Sequence, residues 1–80
     1  MIAGDAWAVW VCWRATPSTP AVETGEHTAD WADARSRARG YTCMYGTRYV
    51  TVTGPGGVVA ADWDEYRNRW REYRPPRNSR

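Results

Sequence analysis

Apolar and polar positions first fall into a clear pattern over residues 6–14 (AWAVWVCWR), where a period of two predicts a strand. Trp7, Val9, Val11 and Trp13 take one face; Ala8, Trp10, Cys12 and Arg14 take the other. Both faces are largely apolar, as expected of a central strand or of one covered by a partner. Residues 16–28 are rich in Pro, Ser, Thr and Glu and read as a connection, with at most a short edge strand starting at Val22. Thr28 is placed to cap a helix running to Arg39, with Gly40 as its stop. Trp31, Ala34 and Ala38 give that helix a narrow stripe that fits against a sheet.

Residues 41–53 read as extended, broken near Gly46. Val50 and Val52 point one way, Tyr49 and Thr51 the other. Residues 54–57 (GPGG) form a turn, and residues 58–61 pair back as a strand. From Asp62 to about Tyr73 the spacing of Trp63, Tyr66, Trp70 and Tyr73 predicts a second helix, with acids leading it and arginines closing it. Pro75 and Pro76 end it. The order is β-α-β-β-α, an α+β fold with a small three-stranded sheet and two helices packed on one face. Residues 1–74 form a single small domain and residues 75–80 a flexible basic tail.

Eighty residues hold one domain and leave no room for a large catalytic cleft. The composition changes the picture in one respect: six Trp and five Tyr stand beside no Phe and no Leu, and all eleven basic side chains are Arg. That bias points to a GC-rich bacterial genome or a phage of such a host. It also offers a plain account of the aromatics, as replacements for Leu and Phe in the core. Residues 1–66 carry a net charge of −3 and residues 67–80 one of +5, a basic end on a slightly acidic body. Cys12 and Cys43 lie in apolar, strand-like runs; two buried thiols suit a reducing cytoplasm, and a single disulfide requires neighbouring strands. The apolar run from residue 6 to 13 is too short for a membrane span and poorly flanked for a signal peptide.

Candidate chemistry is sparse. His27 is the single histidine, with Glu23, Glu26 and Asp30 near it in a solvated acidic loop, and neither cysteine has the paired spacing of a zinc site. Cys12 with His27 is the one conceivable Cys–His pair, and the three serines have no base near them in sequence. The GPGG turn lacks the Lys-Ser/Thr ending of a phosphate loop. The expectation is a non-enzyme with no cofactor, no metal and no membrane attachment.

Two features remain as sites. The sheet face bearing Trp10, Arg14, Tyr49 and Thr51 combines the residue types of interface hot spots, which suggests a cytoplasmic protein-binding module that self-associates as a homodimer or acts on a host or phage protein. The alternative is a nucleic-acid-binding module. It uses arginine shoulders on both helices, Arg35 and Arg39 on the first and Arg67, Arg71 and Arg74 on the second, with Arg77 in the tail and sheet aromatics as stackers. A small virion structural component is a third class.

Overall fold

A computed structural model describes residues 6–73. The chain forms β1 (Trp7–Trp13), β2 (Val22–Thr28), α1 (Trp31–Thr42), β3 (Thr47–Thr53), β4 (Val59–Asp64) and β5 (Arg71–Glu72), with a single 3-10 turn at Pro55–Gly57. All five strands join one antiparallel sheet in the order β2-β1-β3-β4-β5, and α1 packs on one face, chiefly against β1 and β3. The α+β class holds, but a three-stranded sheet carrying two helices does not.

The alternation along β1 and β3 determines the core. Val9 pairs with Val52 and Val11 with Val50, so both pairs project toward α1. There they meet Ala34 and Ala38 of the helix and Ala61 and Trp63 of β4. The two alanines let the helix axis approach the sheet closely. Trp7 and Trp31 close one end, with ring centroids 5.6 Å apart, and the Trp7 ring lies where a side chain at Gly54 would sit.

The second predicted helix is absent, for a reason visible in its own residues. The Asp64 carboxylate accepts the Arg67 N–H at 2.8 Å and the Asp64 carbonyl accepts the Asn68 N–H at 2.8 Å, which makes one helical turn. Asn68 then enters the left-handed region at φ 49°, and the chain reverses into β5. The acids and arginines that suggested a helix dipole are cross-strand partners instead. Asp62 faces Arg71 in register and is bonded to it at 3.0 Å, while Tyr73 donates to the other Asp62 oxygen at 2.9 Å.

Further readings are corrected. The edge strand expected at Val22 forms but runs a full seven residues, β2, in unbroken register with β1, so Glu23, Glu26 and His27 sit on a strand rather than in a loop. The helix is capped by Asp30, not Thr28: Asp30 accepts the Asp33 N–H at 2.9 Å, and Asp33 reaches back to the Ala29 N–H at 2.9 Å. It passes through Gly40 and ends at Cys43, which is exposed at the C-cap and not in a strand; Cys12 is buried, and both thiols are free. The sharp reversal falls at Gly46, with φ 90°, whose backbone lies so close to the Arg14 carbonyl that only glycine fits.

Candidate interaction surfaces

The sheet face opposite α1 is ordered in rows by strand register. Trp10 lies between Gly25 and Thr51, and Thr51 is followed by Asp62 and then Arg71. Cys12 lies between Glu23 and Tyr49, and Asp64 follows. The fold thus brings Trp10, Tyr49 and Thr51 together on one face, with Arg14 just beyond the end of β1. Much of this face is bonded within itself. The Trp10 indole donates to Thr53 at 3.0 Å, and Tyr49 donates to Glu23 at 3.0 Å across the Cys12 position. The hydrogen bond to the Glu23 carboxylate pushes the Tyr49 phenol up to about 12, because ionising it would lose the donated proton and put an anion against an anion. The Arg14 Nε is buried without a hydrogen-bond partner among the described residues.

A second surface was not legible as a site. On the helix side, past the end of α1, Val11, Trp13, Tyr41, Met44 and Tyr45 line an open hollow of about 270 Å³. Tyr45 is 92 % exposed, Met44 58 % and Trp13 41 %. Val22 of β2, the register partner of Trp13, is also exposed. Met44 and Tyr45 had read as part of a strand; their position one turn beyond a helix that continues through Gly40 is what leaves them uncovered.

The arginine shoulders do not assemble. Arg35 is bonded to Glu72 at 2.6 Å, and Arg39 lies 5.6 Å from the Trp70 ring centroid. Arg67 pairs with Asp64 at 3.5 Å in the turn, and Arg71 pairs with Asp62 on the opposite face from α1. Arg37 is held by Asp33 and Glu26, and Arg48 by Glu65. Five arginines are therefore neutralised within the chain. Arg74 and Arg77, together with the proposed tail, lie outside the described residues.

Nor does the fold create a Cys–His pair. Cys12 is opposite Glu23, whereas His27 is opposite Ala8, four residues along β2 and roughly 13 Å away. Among the described residues no cluster of three or more His, Cys, Asp or Glu side chains is arranged to hold a metal ion, and no helix is long and apolar enough to cross a membrane. Comparison with protein-family models, curated proteins and solved structures returned no match.

Proposed function

We propose that this chain is a small non-enzymatic protein-binding module that self-associates. One observation carries the reading: of the eleven aromatic side chains, Trp63 alone is buried. The largest fully buried side chains are Val9, Val50 and Val52, while Trp7, Trp31, Tyr41 and Trp70 flank that core and stay partly exposed. The ten other aromatics lie half-covered or exposed on the strands, the helix and the segments beside them. Surfaces of this kind are the material of protein interfaces, where Trp and Tyr supply contact area with few rotatable bonds.

The internal ion pairs weigh against the nucleic-acid alternative. A phosphate-binding face needs cations free to replace counterions, and Arg35, Arg67 and Arg71 are already engaged.

The six indole N–H groups provide the test. Their NMR signals are followed as the full chain is diluted. The account expects the Trp13 signal to move with concentration while that of buried Trp63 stays still. Spectra that superimpose at every dilution contradict self-association. A response to added oligonucleotide that vanishes with salt replaces the reading with the nucleic-acid one.

A further inference from the structure

The two edges of the sheet differ. One is β5, two residues long. The other is β2, seven residues long, regular, without proline, bulge, Lys or Arg, and its two charges, Glu23 and Glu26, are engaged within the chain by Tyr49 and by Arg37 and Tyr41. Natural sheets usually blunt a long edge with those devices, because an edge strand turns every second N–H and C=O outward as a template for another strand. The phase of that alternation follows from the neighbouring bonds. Arg14 donates its N–H to Gly46 on the β3 side of β1. Alternation along β1 therefore directs Val9 and Val11 toward β2, so their partners Glu26 and Thr24 point inward. Glu23, Gly25 and His27 are left with their backbone groups facing outward.

We infer that two copies of this chain pair antiparallel along β2 about a two-fold axis through Gly25, extending the sheet across the dimer. The inference rests on the self-association proposed above and identifies its surface. For both helices to stay on the same side of the joined sheet, each residue must meet one of like parity on the other chain. Among such registers, the one centred on Gly25 pairs the whole strand, Val22 against Thr28 and Glu23 against His27, and gives each outward residue an outward partner. It also sets Glu23 opposite His27 twice over, a pair that forms when the Glu23 carboxylate turns from its own Tyr49 to the second copy. Moving the centre to Glu23 or Glu26 brings like carboxylates together, and moving it to Thr24 or His27 leaves part of the strand unpaired. Gly25, on the axis itself, presents no side chain where the two copies meet.

The rest of the fold is compatible with this junction. α1 packs mainly over β1 and β3 and reaches β2 through Glu26, which accepts from Arg37 and Tyr41. Val22 adjoins the Trp13 hollow and would lie opposite Thr28 of the second copy, the residue paired with that copy's Trp7. A row of Trp, Val, Thr and Trp would then run across the junction on the helix side, which links the exposed hollow to the dimer.

The test is a charge exchange read by sedimentation of the full chain, with far-UV circular dichroism confirming the fold of each variant. Glu23→Arg and His27→Glu each place like or unmatched charges at both symmetry-related contacts, and each is expected to weaken dimerisation about tenfold. The double variant E23H/H27E restores the opposite pair and brings affinity back to within about threefold. Tyr49→Phe releases the Glu23 carboxylate from its internal bond and does not weaken dimerisation. Independently of any variant, the amides of Glu23, Gly25 and His27 gain exchange protection as the native chain is concentrated. A native dimer indifferent to both single variants and without that protection overturns the β2 junction and leaves self-association standing on another surface. A native chain that never dimerises overturns both.

Discussion

Tyr49 and Glu23 are bonded at 3.0 Å although their strands do not touch: β1 lies between them, and the phenol–carboxylate bond spans the Cys12 position. Two strand spacings amount to roughly 10 Å, which only two long side chains leaning together can bridge. The bond helps cover Cys12 on a sheet face that has no helix above it. It also makes a spectroscopic prediction. The folded phenol ionises near 12, above the ordinary phenol range, so the bond's contribution to stability is complete below about pH 10 and is lost as pH rises through the folded value. Glu26 and Asp62 also raise the Tyr41 and Tyr73 phenols, so an absorbance titration at alkaline pH is expected to show several late tyrosines, of which the Tyr49 component moves to lower pH in Glu23→Gln. An unchanged curve in that variant would show that the bond does not form in solution.

Acid acts on two other carboxylates. Asp33 is held below the usual carboxylate range by the Ala29 N–H and then by Arg37, and Glu72 by the Trp70 indole and then by Arg35. A lowered folded pKa means stabilisation that is present above the unfolded value and is lost as pH falls through the folded one. Melting temperature is therefore expected to drop on acidification below about pH 4. The slope should be shallower in Asp33→Asn and in Glu72→Gln. Equal slopes in all three proteins would remove these two groups from the account.

Two glycines give opposite predictions. Gly40 is inside the helix with open space where a side chain would go, so Gly40→Ala is expected to stabilise by about 0.5–1 kcal/mol. Gly46 has φ 90°, and a Cβ there would lie 2.6 Å from the Arg14 carbonyl oxygen. Gly46→Ala is expected to cost about 2 kcal/mol or more, since backbone has to move. Thermal or urea denaturation of the two variants measures both, and a Gly46→Ala protein as stable as the parent would contradict the turn.

The reversal between β4 and β5 is testable through Asp62 and Arg71. In a hairpin they face each other at 3.0 Å; on a continuous helix, nine residues apart, they would be separated by roughly 13 Å along the axis. A double-mutant cycle with Asp62→Ala and Arg71→Ala is expected to show a small favourable coupling, modest because both side chains are partly exposed. Zero coupling would favour the helix.

That segment also shows where the sequence stops being legible. β1 and β3 were readable because their alternation carries valines to one side, and that side became the core. The helix was readable from its alanines, though its end was not, because Gly40 tolerates the helical conformation and the true reversal is set by the tertiary approach of Gly46 to Arg14. Trp63, Tyr66, Trp70 and Tyr73 fit a helical period by spacing alone. The deciding contacts, Asp62 with Arg71 and Asn68 with the Trp63 indole, depend on a turn that hydrophobic spacing does not encode. β2 was nearly invisible because an edge strand exposed along most of its length needs little apolar signal. Of the surfaces, the grouping of Trp10, Tyr49 and Thr51 followed from alternation. The Trp13 hollow depended on where the helix ended, and the arginine shoulders depended on a helix that does not form.

The central claim is that aromatics held at the surface of a valine–alanine core serve association with protein. Sedimentation velocity on the full chain from about 1 to about 300 µM tests it most directly. The account predicts a reversible, concentration-dependent shift from the 9.1 kDa chain to twice that mass, with little dependence on salt. A single 9.1 kDa species across the whole range would contradict it.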